Sequence, residues 1–388
     1  MKWFAMNQPA KPRFEHLGPF SDLVTAARAL RPLFPSAPPG PETRRKAREV
    51  FRFTIGDEQP QEIRSERNWI ADGVEGEEIS WSVGFGPRTY AWVLKPAGVS
   101  SHLPAVVALH DHSAFKFFGK EKIADGPDGP AASLGAFRRA SYDGRAYANL
   151  LAKEGFVVLV HDCFLWGSRR FPLDVMPERE LSLADAVGQT LEQDSAGQEI
   201  VRYNGAAYLH EHLISKYCTL LGTSLAAVMA FEDRVALNYV RSRRDVDAER
   251  VACIGLSGGG LRASLLRATA DHLTACVIAG MMTTYEGLLD HCVAPHTWML
   301  FPANWSAHGD WPDLASSGAP SPLLVQYLLD DALFTIDGMR GAHARIAAHY
   351  AKASAADAYV GEFYSGPHRF DHSMQESAFA WLQSNLKS

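Results

Sequence analysis

Ser257 stands in Val251-Ala252-Cys253-Ile254-Gly255-Leu256-Ser257-Gly258-Gly259-Gly260, an apolar run that turns through a serine into small residues. Glycine two residues to either side lets a strand and a helix pass a tight bend without a Cβ clash, and a hydroxyl at such a bend is lifted clear of the sheet. A serine hydroxyl is a poor nucleophile at neutral pH. It needs an imidazole to take its proton and a carboxylate to orient that imidazole and stabilise its cation. The apolar run 322–329 delivers Asp330 and Asp331 at its carboxyl end, and one of the two is the candidate acid. Glu286, after the strand that follows the serine turn, is a third. His368, in Gly366-Pro367-His368 just before the last helical segment, is the candidate base, whereas His372 sits nearer the helix start and reads as a capping or surface residue. For the paired aspartates the competing reading is simple turn chemistry.

Positioning such groups takes an ordered set of strand ends. Residues 105–109 and 156–160 are continuous apolar runs, as strands covered on both faces are. A helix is predicted over 146–153, stopped by Gly155, and a long helical stretch over 210–241. Then follow a strand at 251–254, a helix over 261–268, strands at 275–278 and 323–328, a helix over 339–351, a strand at 359–364 and a closing helix over 374–386. This alternation predicts an α/β fold with a mostly parallel sheet, helices on both faces and ligands at the carboxyl ends of the strands. The candidate serine, acids and histidine all lie at such ends.

Ahead of this core, 78–83 and 88–94 flank Gly84-Phe85-Gly86-Pro87 and read as a β-hairpin at the sheet edge. Residues 1–77 read as a helical extension, amphipathic over 20–33, with Arg44, Arg45, Lys46 and Arg48 forming a solvated basic helix face. The catalytic domain is then 78–388. Two connections exceed the usual few residues. The first, 167–209, reads as a cap or side wall. The second, 281–322, carries Trp298, Trp305 and Trp311, which either line an apolar substrate pocket or pack the insertion onto the sheet.

The chain has 388 residues, 47% hydrophobic and 21% charged, which suits one large globular domain with extensions rather than a disordered chain. A net charge of -6 gives no electrostatic case for nucleic acid or an anionic membrane. Residues 1–20 lack the apolar core of a signal peptide, and no stretch reaches the roughly 20 apolar residues of a membrane span. This predicts a cytoplasmic protein. Five cysteines without paired spacing, three in or beside apolar runs, predict reduced thiols. Fifteen histidines include His110-Asp111-His112, His161-Asp162-Cys163 and His291-Cys292, but no zinc-type spacing supports a metal, and no cofactor is expected. The amphipathic pieces before Glu78 would suit packing on a second subunit.

With these residues in place the chain resembles the α/β-hydrolase superfamily, and within it esterases similar to dienelactone hydrolases and bacterial acetyl xylan esterases. The resemblance covers residue 78 to the carboxyl terminus. It rests on Leu109-His110-Asp111-His112, Gly255-Leu256-Ser257-Gly258-Gly259, the Asp331-Ala332-Leu333-Phe334-Thr335 turn and Gly366-Pro367-His368. It implies a triad in the chain order Ser257, Asp331, His368, with Asp331 favoured over Asp330 and Glu286 by its turn. It also implies an oxyanion hole made by the backbone amides of His112 and Gly258. Asp162, Gly167 and Arg169 are similar to a turn after the fourth strand of these relatives, with approximate spacing. Asp111 and Ser113 depart from the glycines common in relatives, so the donor loop is less closely matched than the nucleophile. Dienelactone hydrolases proper carry cysteine where this chain has Ser257, so their substrate does not carry over.

The reading is hydrolysis of a small-molecule carboxylic ester through an acyl-enzyme. His110, Asp111, Arg169, Trp298 and Trp305 are candidate substrate contacts, Arg169 either for a substrate carboxylate or in a buried structural ion pair. Amide or peptide cleavage and carbon–carbon bond hydrolysis use the same triad. A binding protein on a hydrolase fold is the non-enzymatic alternative.

Overall fold

The structure, a computed structural model, describes residues 14–188 and 197–387. Nine strands form one sheet in the order β1-β2-β3-β5-β4-β6-β7-β8-β9. They are β1 (Gln61–Ala71), β2 (Val74–Ser82), β3 (Thr89–Pro96), β4 (Leu103–Leu109), β5 (Val157–His161), β6 (Val246–Leu256), β7 (Ala275–Ala279), β8 (Leu323–Leu328) and β9 (Tyr359–Tyr364). The first three pair antiparallel, β3 pairs antiparallel with β5, and the ladders from β5 to β9 are parallel. The helices are α1 (Asp22–Leu30), α2 (Pro41–Val50), α3 (Gly135–Tyr142), α4 (Tyr147–Lys153), α5 (Glu178–Gly188), α6 (Gln198–Leu220), α7 (Leu225–Ser242), α8 (Gly258–Thr269), α9 (Tyr285–Leu288), α10 (Trp311–Ser316), α11 (Ile336–Lys352) and α12 (His372–Leu386).

The continuous apolar strands are explained by their two faces. Along β4, Ala105, Val107 and Leu109 join one core with α7, α8 and α11, while Val106 and Ala108 join a second core with α4 and α12. Alternate residues of a strand point to opposite faces, so burial on both sides demands apolar residues at every position. The chain leaves β4 for β5 on one side and returns to β6 on the other. That reversal opens a crevice at the carboxyl ends of β4 and β6, where ligands of such sheets bind.

Several expectations need correction. The hairpin is present as β2 and β3, but β1 lies outside it, so the sheet edge is β1, and a boundary at 77 would cut β2. Residues 61–71 are strand rather than helical extension; their side chains are almost all exposed, so no apolar periodicity marks them. The helical stretch 210–241 is two helices. Gly222 takes φ +74° and the Ser224 side chain caps α7 by accepting from the Ala227 amide, which starts a new helix rather than extending the old one. The basic face of α2 is only partly solvated. Arg45 and Lys46 pair with Glu49 on the surface, but Arg44 and Arg48 both reach Asp271, and Arg48 Nε donates to the Thr269 carbonyl, tying α2 to the end of α8. All five cysteines are buried free thiols.

Candidate active site

Three strand ends and their loops build the site. After β6, Ser257 adopts φ 55°, ψ −119°, a backbone conformation that L-residues avoid. It is held there by its amide donating to the Ala279 carbonyl (2.8 Å) and its carbonyl accepting from the Leu261 amide (2.9 Å). The flanking glycines are required by space. A Cβ on Gly255 would lie 2.3 Å from the Gly259 carbonyl carbon, and one on Gly259 would lie 2.1 Å from the Leu109 carbonyl oxygen. The elbow helix α8 is anchored below by Arg262, whose guanidinium donates to Asp233 (2.6 and 3.1 Å) and to the His110 carbonyl (3.3 Å), while His161 completes the buried group on Asp233 at 2.9 Å.

After β8, Asp331 is buried and its Oδ2 lies 2.6 Å from His368 Nδ1. Its other oxygen accepts from the Leu333 amide at 2.9 Å. A carboxylate facing Nδ1 selects the tautomer protonated there and leaves Nε2 as the basic nitrogen. Asp330 does a different job: its Oδ2 accepts from the Gly366 amide (2.7 Å), holding the loop that carries His368. Glu286 pairs with Arg28 at the surface. Of the three candidate acids, therefore, only Asp331 meets the histidine. Gly280, beside the imidazole at the end of β7, takes φ +56°, and a Cβ there would lie 2.9 Å from Leu256 Cδ1.

Ser257, Gly258, His112 and His368 share one cleft of about 230 Å³, walled by Ser113, Ala114, Tyr208, Leu261, Met281, Pro295, His296, Thr297, Leu300, Leu333 and Phe334. The two expected donor amides are neighbours: a Cβ on Gly258 would lie 2.7 Å from the His112 nitrogen. Among the described residues neither N–H has a protein acceptor. His112 itself is tightly framed. Its Nδ1 accepts from the Ala114 amide (3.0 Å), so Nε2 carries the proton and donates to Glu211 (2.8 Å). Burial holds the imidazole below its ordinary pKa, against the pull of Glu211. Burial alone would raise the Glu211 carboxyl, but Lys116 and His112 beside it carry it well below its usual range.

Sequence reading missed three wall residues, Tyr208, His296 and Thr297, and the carboxylate that stands behind them. Glu211 on α6 accepts from Lys116 Nζ (2.5 Å) and from the Trp298 amide (3.1 Å), and bonds Thr297 Oγ1, so one carboxylate joins the donor loop, α6 and the 281–322 connection. His296 donates from Nε2 to the Leu333 carbonyl (2.9 Å), and burial lowers its pKa to about 4, keeping it neutral near pH 7. Tyr208 and Thr297 complete the wall. The partners of Glu211, His296 and Thr297 are distant in sequence, so no local pattern announces them.

The other proposed substrate contacts lie elsewhere. His110 is buried against Cys163, with burial holding its pKa far below the ordinary value. Asp111 is buried on Lys122 (3.1 Å) and Tyr142. Arg169 is in the structural ion pair, with Nη2 2.5 Å from Glu232 Oε1 and Nη1 on the Phe85 and Pro87 carbonyls. Its turn is structural too: Asp162 accepts from the Lys120 and Ser168 amides and from Lys120 Nζ, and a Cβ on Gly167 would strike it at 2.4 Å. Trp305 and Trp311 are fully buried, their indole N–H groups on the Asp310 and Leu300 carbonyls. Trp298 is 45% exposed and donates to His212 Nδ1 (2.8 Å) outside the cleft lining. The tryptophans pack the insertion rather than line the pocket. Among the described residues no group of three His, Cys, Asp or Glu side chains could hold a metal ion.

No family model matches the chain. It is 24% identical over 270 residues to "Putative hydrolase YtaP" of Bacillus subtilis (strain 168), covering 69% of this chain and 74% of that protein. A crystal structure of "a putative acetyl xylan esterase" from Bacteroides fragilis NCTC 9343 superposes with a TM-score of 0.65 at 15% identity, covering 89% of this chain and 87% of that one. A glucuronoyl esterase from Solibacter usitatus superposes with a TM-score of 0.58 at 14% identity, covering 88% of this chain and 92% of that one. The fold is the α/β-hydrolase fold, as the sequence resemblance implies.

Proposed function

We propose that this chain is a serine hydrolase of carboxylic esters. The observation that carries the reading is the His368 Nδ1 to Asp331 Oδ2 contact of 2.6 Å, with His368 and Ser257 on one cleft. In this mechanism Ser257 Oγ attacks the ester carbonyl carbon as its proton passes to His368 Nε2. The carbonyl oxygen becomes an oxyanion held by the His112 and Gly258 amides. Collapse breaks the ester C–O bond, and His368 gives the proton to the departing alcohol. Water then repeats the sequence on the acyl-enzyme, with His368 taking a proton from water and returning it to Ser257, and the acid leaves.

The lining supports a neutral, compact acyl group. Its described residues include no Asp, Glu, Lys or Arg, and Ala114, Leu261, Met281, Leu300, Leu333 and Phe334 make it mainly apolar. The esterase descriptions of the structural neighbours agree with ester cleavage. The test is hydrolysis of chromogenic acetate, butyrate and succinate monoesters by wild type and Ser257→Ala. Turnover of the neutral short esters, abolished in Ser257→Ala, is expected; preference for the anionic ester, or full activity in Ser257→Ala, contradicts the reading.

A further inference from the structure

The peptide joining Asp111 to His112 is gripped on its carbonyl side. The Asp111 carbonyl oxygen accepts from Lys122 Nζ and from His110 Nδ1 (3.0 Å). A trans peptide sets C=O and N–H on opposite sides. Pinning the oxygen inward therefore turns the His112 N–H outward, to the side where Gly258 and the cleft lie. The same ammonium also donates to the His112 carbonyl at 3.3 Å, and that carbonyl further accepts from Trp166 Nε1 (3.3 Å) and from the Phe115 amide (3.2 Å). Lys122 is wholly buried, with Asp111 Oδ2 at 3.1 Å as its counter-ion. Ser113 and Ala114, the next two residues, have φ of 44° and 52°, so this loop is a left-handed bend that contacts must hold in place.

We propose that Lys122 is a positioning residue for the oxyanion hole: with Asp111 as its anchor, it fixes the 111–112 peptide so that the His112 N–H faces the reacting carbonyl oxygen. The Asp111 carboxylate itself faces away from the cleft, into the lysine and Tyr142. The inference rests on the esterase reading. Lys122 touches no substrate. Losing its grip would let the peptide rotate and withdraw a donor needed only once negative charge develops, so kcat should fall while KM holds.

The experiment compares wild type, Ser257→Ala, Lys122→Met and the charge-neutral pair Lys122→Met with Asp111→Asn. Each is measured for steady-state hydrolysis of p-nitrophenyl acetate, melting temperature and inhibition by an aryl trifluoromethyl ketone, which forms a hemiketal oxyanion on the serine. The neutral pair guards against misfolding from an unpaired buried carboxylate. Expected is a kcat loss of about 100-fold in the folded variants, KM within about threefold, and ketone affinity falling in step with kcat/KM. Folded variants that keep wild-type kcat and ketone affinity overturn the inference while leaving the esterase reading intact. A Ser257→Ala protein that retains wild-type turnover overturns both.

Discussion

The floor and the wall of the cleft are built by different means. Ser257, His368, Asp331 and the His112 amide sit where strands end, and their positions follow from local demands: a strained serine, glycines that no Cβ could replace, and backbone amides of the loops donating to the Asp331 and Asp330 carboxylates. The wall made by His296, Thr297 and Tyr208 comes from the connections between strands, and behind it the Glu211 side chain reaches far along the chain to His112 and to Thr297. The floor can therefore fix reaction chemistry while the wall varies to select substrates.

If this division holds, changes in the floor cost the most activity. Ser257→Ala and His368→Ala should lower kcat by about 10⁴-fold or more, and Asp331→Asn by about 10⁴-fold, with melting temperature nearly unchanged. Stopped-flow and steady-state ester hydrolysis with parallel calorimetry checks this; an Asp331→Asn loss as small as that of Asp330→Asn would break the acid assignment. Gly259→Ala should cost about 1–3 kcal/mol in stability by urea unfolding, and most of the activity, because its methyl collides with the Leu109 carbonyl and shifts the elbow.

Arg169→Met separates structure from chemistry. It leaves Glu232 as a buried unpaired carboxylate, so unfolding free energy should fall by about 3–5 kcal/mol, while kcat/KM of the folded fraction stays within about threefold of wild type. A selective loss of activity on anionic esters would instead restore Arg169 as a substrate contact.

The smallest effect belongs to the wall. His296 has a folded pKa of about 4 against an ordinary 6.5, so it binds fewer protons folded than unfolded, and its contribution makes stability fall as pH drops from 6.5 towards 4. His296→Leu should flatten that part of the urea-midpoint profile by about 1–3 kcal/mol and alter acyl preference more than kcat on acetate. An unchanged slope between pH 6.5 and 4 in the variant would contradict this.

What could be read beforehand follows the same line. The core strands from β4 to β8 announce themselves by apolar runs, and the elbow by its glycines, because backbone constraints act locally in sequence. Edge strand β1 carries alternating charges on exposed faces and looks like a helix surface or a loop. Arg169, Trp305 and Trp311 advertise chemistry by type, yet their environment makes them structural, and Glu211 and Lys122 are acids and bases like many others until the fold brings them to the donor loop. Residue type alone does not say which side of the protein surface a charge will face.

The proposed esterase activity stands on Ser257 as the acyl-accepting nucleophile. Intact mass and peptide mapping after treatment with a fluorophosphonate test it directly, because the reagent needs a serine activated by a histidine. The expected result is a single adduct on Ser257 that forms with loss of ester hydrolysis and is absent in His368→Ala. Folded protein that hydrolyses esters but carries no adduct on Ser257 would rule out this role for the serine.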